Sequence, residues 1–249
     1  MRWNGLGLLM MAGAAQAGDV QGSLQWSQRV ELSLPASGIV RSVAAHVGDR
    51  VKKGQVLLAL DGAAQQAGVS EAQAAIARTK EEALDAKRNL DRTQELFNRT
   101  VIATSELEAA QLRHTKANAL LAEAQGRLAA QQKYLGDTAV RAPFDALVLA
   151  RQVEPGQAVS SQFQQQPLLV IARAGEMIAR AQVALAQIEK LKVGDPVIVS
   201  VAGQSYNGKV KLLGLEPVSD KTGNGYAVDV LFPVKDVLRA GTPASLHLP

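Results

Sequence analysis

The pattern of hydrophobic and polar residues divides the chain into strand-like flanks and a helical middle. In residues 29–61 apolar and polar positions alternate in short runs separated by glycine turns, a pattern typical of β-strands. Residues 63–132 contain no proline and are dominated by Ala, Glu, Lys, Arg, Leu and Gln, which are strong helix formers. Strand-like alternation returns at Gly136. The pattern predicts a mixed β and α protein.

Two seven-residue repeats run through the helical middle. The first repeat places larger residues at Val69, Ile76, Ala83, Leu90 and Phe97, and small ones at Ala72, Thr79, Ala86 and Thr93. The second repeat consists of Leu107, His114, Leu121, Leu128 and Leu135, with Ala110, Ala117, Ala124 and Gln131. Such spacing predicts a left-handed supercoil. A short break near residues 100–105 makes the helices antiparallel, and Thr104 or Ser105 is predicted to cap the second helix.

A repeated β unit flanks this hairpin. Residues 37–60 and 144–171 both follow the order strand, glycine turn, strand. We expect the two halves to pair into one small β-sandwich with the hairpin inserted between them, because insertions are tolerated at surface turns. Residues 177–249 contain four to six further short strands and one short helix at 186–191. That arrangement predicts a small closed barrel.

Composition narrows the function classes. The 249 residues carry a formal net charge of +4 without a basic run or a basic–aromatic stripe, so nucleic-acid binding is not indicated. No cysteine is present, which excludes disulfides and thiolate chemistry. The N-terminus is typical of an export signal, with Arg2, an apolar stretch at 6–15 and the small-residue site Ala15-Gln16-Ala17. Cleavage near Ala17 is expected, so the mature protein would begin near Gly18.

The order of parts resembles the periplasmic adaptors, or membrane fusion proteins, of the HlyD-like family. The motifs that carry the resemblance are PASGIV at 35–40, VGDRVKKGQVL at 47–57, RAPFD at 141–145, VEPG at 153–156 and LRAG at 238–241. The resemblance implies an elongated multi-domain protein of mixed β and α structure. Its parts would be a signal peptide (1–17), an N-terminal strand segment joining the barrel or a vestigial membrane-proximal part (18–35), a lipoyl-like β-sandwich in two halves (36–62 and 137–172), a coiled-coil helical hairpin (63–136) and a β-barrel (173–249).

The resemblance also implies a function without catalysis or cofactor. Adaptors of this family link an inner-membrane transporter, of the RND or ABC type, to an outer-membrane channel of the TolC type. They assemble as homo-oligomers, often hexamers, that form a sleeve in the periplasm. The family therefore implies an adaptor subunit of a tripartite export or efflux system.

Two sets of residues are candidate contact sites. In efflux adaptors the hairpin tip carries an Arg, a Leu four residues later, a Ser and an acidic residue, and the resemblance places this set at the tip of the present hairpin. The matching or adjacent residues are Arg92, Leu96, Arg99, Ala103, Thr104, Ser105 and Glu108, with Ala103 standing where the family has Ser. A glutamine-rich loop containing Gln164, Gln165 and Gln166 is the second candidate, as a lining of the central duct or simply a polar turn.

The sequence also allows other interpretations of its function. A lipoyl or biotin carrier needs a lysine at the turn of the first half, but Ala64 stands there. A structural coiled-coil or chaperone-like periplasmic protein would explain the hairpin, although not the flanking β repeat. Catalysis has little support, because His46, His114 and His247 are far apart in sequence and no two metal ligands share a helix face.

Overall fold

The computed structural model describes residues 19–161, 167–220 and 223–248, so the predicted signal peptide lies outside the described residues. The helices of the described residues are α1 (Ala63–Asn98), α2 (Thr104–Gly136) and α3 (Leu185–Ile188). The strands are β1 (Asp19–Trp26), β2 (Arg29–Leu32), β3 (Gly38–Val43), β4 (Arg50–Val51), β5 (Val56–Leu60), β6 (Ala139–Arg141), β7 (Ala146–Arg151), β8 (Ala158–Val159), β9 (Leu169–Arg173), β10 (Glu176–Val183), β11 (Pro196–Val201), β12 (Gln204–Asp220), β13 (Gly223–Pro233) and β14 (Pro243–His247). The chain divides into two compact units, one formed by residues 30–171 and the other by the segments on either side.

The first unit contains a sandwich of two four-stranded sheets, ordered β2-β9-β7-β4 and β6-β5-β3-β8. Each sheet takes two strands from before the hairpin and two from after it. Leu57, Leu58, Leu169 and Ile171 are fully buried in the shared core. Neither half can bury its apolar face without the other, which explains why the two β repeats form one sandwich.

The base of the hairpin is closed by backbone hydrogen bonds. β5 leads into α1, α2 leads into β6, and these two strands pair antiparallel with Leu58 opposite Val140. The Leu60 N–H donates to the Thr138 carbonyl oxygen at 2.8 Å. The chain therefore leaves and re-enters the sandwich at neighbouring points.

The two long helices pack along the predicted seam. Val69, Ala72, Leu107 and Ala110 are buried, as is Thr79, whose hydroxyl donates to the Ala75 carbonyl oxygen at 2.9 Å. That bond satisfies a polar group that would otherwise be unpaired in an apolar seam. Every other position of the two repeats is buried or half-buried. The structure confirms the coiled-coil hairpin.

The second unit is a closed six-stranded barrel with the order β1-β10-β13-β12-β11-β14. Its core contains Leu24, Met177, Phe232 and Leu246, all essentially inaccessible to solvent. The short helix occupies Leu185–Ile188, so it begins one residue before the predicted segment and ends three residues before its end. A split sandwich, an inserted hairpin and a barrel confirm the predicted fold class.

Candidate functional site

The hairpin tip begins where α1 ends in a Schellman turn. The Thr100 N–H donates to the Phe97 carbonyl oxygen at 2.8 Å, and the Val101 N–H donates to the Leu96 carbonyl oxygen at 3.1 Å. This pair of bonds satisfies the last carbonyl groups of the helix. The turn requires a left-handed residue, and Thr100 adopts it with a φ of 60°. A β-branched residue is unfavourable in that conformation, because its Cβ crowds the backbone.

Thr100→Gly is expected to raise the free energy of unfolding of the hairpin by about 1 kcal/mol, because glycine adopts left-handed angles without strain. The thermal transition of the helical circular dichroism signal at 222 nm measures the change. Asn98→Gly is the matched control, since it introduces glycine inside the last helical turn and should destabilise the hairpin. A lower melting temperature for Thr100→Gly would contradict the strain.

The second helix starts without a side-chain cap. The capping position is held by Ala103, and Thr104 and Ser105 are the first two helical residues. The prediction that Thr104 or Ser105 caps α2 is therefore wrong. The Glu106 N–H donates to the Ala103 carbonyl oxygen at 3.1 Å, and the Glu106 carboxylate lies in the first turn, where it complements the helix dipole.

The candidate residues at the hairpin tip are exposed to solvent. Arg92, Leu96, Arg99, Ala103, Thr104, Ser105 and Glu108 are all exposed. Leu96 is 36% exposed, because Phe97 takes the seam position beside it. Val101 is 65% exposed, although the residue at this place in a Schellman turn usually packs on the helix. The tip thus presents two apolar side chains among arginines and an acidic residue, a surface suited to a protein partner.

The other sequence candidates lie elsewhere. Gln164, Gln165 and Gln166 lie outside the described residues. Ala64, which stands in the place of a carrier lysine, lies exposed in the first turn of α1. A methyl group there offers no amine for attaching lipoate or biotin. His114 lies half-buried on the seam, and its Nε2 lies 3.0 Å from Asn118 Nδ2.

Sequence reasoning missed an ion pair in the barrel. Arg180 Nε and a terminal guanidinium nitrogen each lie 2.6 Å from an oxygen of the Asp229 carboxylate, across the β10–β13 ladder. Asp229 is 3% exposed. The hydrogen bond to Asp229 raises the pKa of Arg180, although burial acts in the opposite direction. The signal in the sequence is weak, because only the strand register brings the two residues opposite each other.

A second missed feature is a Ser–His–Asp row on the barrel. Ser200 Oγ lies 3.0 Å from His247 Nε2, and His247 Nδ1 contacts the Asp19 carboxylate. A serine hydrolase also needs backbone N–H groups aimed at an oxyanion. Ser200 instead lies between two paired neighbours, Ser205 on β12 and Ser245 on β14. The row links β11, β14 and β1, so we assign it to barrel closure.

Among the described residues, no helix combines the length and apolar character needed to cross a bilayer.

The family of the chain follows from a match to a protein-family model. The model of the CzcB-like barrel-sandwich hybrid domain matches residues 28–172, more than half of the chain. The chain belongs to the membrane fusion proteins that carry this domain. The matched residues include both halves of the sandwich and the whole hairpin between them.

Individual membrane fusion proteins are similar over most of this chain. The pyoverdine export membrane fusion protein PvdR of Pseudomonas aeruginosa is 30% identical over 207 residues, which cover 76% of this chain and 53% of the relative. The macrolide export protein MacA of Yersinia pestis is 25% identical over 230 residues, covering 86% and 62%. This membrane fusion protein therefore spans somewhat more than half the length of these relatives.

Solved structures show the same fold. A membrane fusion protein of Streptococcus pneumoniae matches with a TM-score of 0.70 at 16% identity, covering 93% of this chain and 98% of the other. MacA of Actinobacillus actinomycetemcomitans matches with a TM-score of 0.62 at 19% identity, covering 93% and 78%.

Proposed function

We propose that this chain is the periplasmic adaptor subunit of a tripartite export system and has no catalytic activity of its own. The observation that carries the proposal is a long hairpin closed at its base and exposed at its tip. The sandwich fixes the position of both hairpin ends through the β5–β6 ladder. A hairpin that is anchored at its base and exposes both apolar and charged side chains at its tip is suited to reaching a distant partner.

The proposal extends to the partners. The chain forms a homo-oligomeric sleeve, a hexamer in the simplest arrangement, between an inner-membrane transporter of the RND or ABC type and an outer-membrane channel of the TolC type. The names of PvdR and MacA, which describe export, support this role for the family. The Gln164, Gln165 and Gln166 loop is proposed to line the duct of the sleeve.

The tip residues are proposed to contact the channel. Arg92 and Leu96 lie one helical turn apart near the end of α1, and Glu108 lies in the first turns of α2. Exposed arginine and leucine side chains supply charge-assisted hydrogen bonds and apolar contact area. Arg99, Ala103, Thr104 and Ser105 would complete the contact surface.

Arg92→Asp tests the tip contact. We expect the amount of outer-membrane channel that co-purifies with the adaptor from cross-linked envelopes to fall at least tenfold, because the arginine contact is lost and the charge at this position is reversed. Lys80→Asp is the control, since Lys80 is an exposed residue in the middle of α1 and undergoes the same charge change. Unchanged channel recovery with Arg92→Asp would refute the contact.

A further inference from the structure

A cleft of about 870 Å³ opens on the outer face of the barrel. It is lined by β1 and β10, by the start of α3, and by the part of the β12–β13 hairpin that extends beyond the barrel. A cleft of this volume is large enough to hold a small ligand. The side chains of its lining include Ser23, Gln25, Arg180, Gln182 and Val218.

The β12–β13 hairpin closes one side of the cleft because it bends as it leaves the barrel. β12 continues beyond its pairing with β11, and the β12–β13 ladder shifts register after Val210 and again after Leu213. Such bulges bend a strand. A Cβ at Gly225 would lie 3.1 Å from the Val183 carbonyl oxygen, so glycine lets the start of β13 approach β10 closely. Val218 pairs with Gly225 and lines the cleft.

The outward side chains of β1 and β10 form a polar row along the cleft. Ser23 and Gln25 on β1, and Arg180 and Gln182 on β10, alternate with the residues of the barrel core. Residues two apart on a strand are separated by about 7 Å, which is also the repeat of an extended peptide. Within the described residues, the half-buried side chains of Gln25 and Gln182 have no hydrogen-bond partner. Their amides are therefore available to a ligand.

Arg180 presents further donors to the cleft. Its guanidinium group has five N–H groups, of which two donate to the Asp229 carboxylate, and its side chain is 45% exposed. The carboxylate holds the guanidinium group in one orientation and balances its charge. The remaining N–H groups therefore favour a neutral acceptor, such as a peptide carbonyl oxygen, over a second carboxylate.

The remaining lining is small and apolar. Ala184, Val218, Gly225 and Ala227 line the cleft beside the polar row. Small side chains leave room for a ligand close to the strands, and the methyl groups offer apolar contact. A ligand suited to both surfaces has regularly spaced amide groups on one side and small apolar groups on the other.

We infer that this cleft binds an extended peptide of about six residues. The lining on β1 runs from Asp19 to Gln25, which corresponds to about 20 Å at 3.4 Å per residue. Each glutamine amide both accepts a hydrogen bond from a peptide N–H and donates one to a peptide carbonyl oxygen. Arg180 donates to a further carbonyl oxygen. The site lies wholly within the barrel unit and does not depend on the proposed bridging role.

Fluorescence anisotropy with the purified chain tests the binding. The probe is a fluorescein-labelled, C-terminally amidated peptide of alternating serine and valine, about six residues long. We expect saturable binding with a Kd on the order of 100 μM or tighter. The same peptide methylated on its backbone nitrogens cannot donate hydrogen bonds, so it should bind at least tenfold more weakly. Equal binding of the methylated peptide, or no saturation up to about 1 mM, would overturn the inference.

Substitutions in the polar row locate the site. Gln25→Leu and Gln182→Leu are each expected to weaken binding of the probe about tenfold, because leucine has a similar size but cannot form the hydrogen bonds of the amide. Gln111→Leu is the matched control, since it makes the same change on the exposed surface of α2. Thermal unfolding checks that each variant folds. Undiminished binding by both barrel variants would show that the peptide does not occupy this cleft.

A substitution that fills the cleft provides a test independent of the amides. Ala184 is exposed and lines the cleft, so Ala184→Trp places a large side chain there without entering the barrel core. We expect binding of the probe to fall at least tenfold. Full binding by this variant would contradict the location.

Two sources supply this chemistry, a free peptide and an extended segment of a neighbouring protein. A photo-activatable residue at Ala184 in intact envelopes distinguishes them, because mass spectrometry of the adduct identifies either a peptide alone or a segment of a larger protein. Either adduct should fall at least tenfold when Gln25→Leu and Gln182→Leu are combined in the same chain. An adduct that forms equally well in the combined variant would overturn recognition by the polar row.

Discussion

Shortening both arms of the hairpin by one heptad is expected to abolish capture of the outer-membrane channel while the protein remains folded. Deleting residues 66–72 and 127–133 removes matching levels of α1 and α2 and keeps the seam in phase. The tip is then drawn about 10 Å toward the sandwich, at about 1.5 Å per residue. In the proposed adaptor role, a hairpin that is too short cannot reach the channel, whatever the chemistry of its tip.

The control restores length with a different sequence. Duplicating residues 73–79 and 120–126 in the shortened chain returns the tip to its original height and should restore channel capture. A photo-activatable residue at Val101, which is exposed at the tip, reports the capture directly. Full capture by the shortened chain, with unchanged helix content for its length, would show that the hairpin does not act as a spacer.

Arg180→Gln is expected to lower the free energy of unfolding of the barrel by about 3 kcal/mol. The substitution leaves the Asp229 carboxylate, whose side chain is 5% exposed, without its bidentate partner. An uncompensated buried charge is among the most costly single changes in a protein. Asp229→Asn is expected to cost less, because the Arg180 side chain is 45% exposed and can turn to water.

The double substitution completes the cycle. Arg180→Gln with Asp229→Asn should recover most of the loss, since two neutral amides can bond to each other. Urea unfolding followed by Trp26 fluorescence reports the barrel, because Trp26 packs against the barrel core and the only other tryptophan lies in the predicted signal peptide. Strictly additive losses would show that the two residues act independently.

Elements with a sustained period could be predicted from the sequence. The heptads that start at Val69 and Leu107 predicted the seam correctly, because a helix whose apolar residues recur every seven positions has only one face to bury. The two β repeats predicted the sandwich for a related reason, since each half has an apolar face that only the other half can cover. The exposure of the tip could also be predicted, because the heptads end there and the residues beyond them have no facing helix to pack against.

Features that depend on one torsion angle or one register could not be predicted. Thr100 adopts a left-handed conformation, which contradicts the preference of a β-branched residue for negative φ. Ala103 holds the capping position with extended backbone angles, although two better capping residues follow it. The Arg180–Asp229 pair depends on the alignment of two strands about 50 residues apart, which no local pattern encodes.

The closed base of the hairpin has a consequence for how such proteins diversify. Because Leu60 and Thr138 are hydrogen-bonded neighbours, any helical hairpin whose ends meet at that spacing can replace the present one without disturbing the sandwich. In the proposed adaptor role, gains and losses of paired heptads alter the reach of the hairpin, while substitutions at the turn alter the surface of its tip. Reach and tip surface can therefore change independently of each other, while the sandwich stays the same.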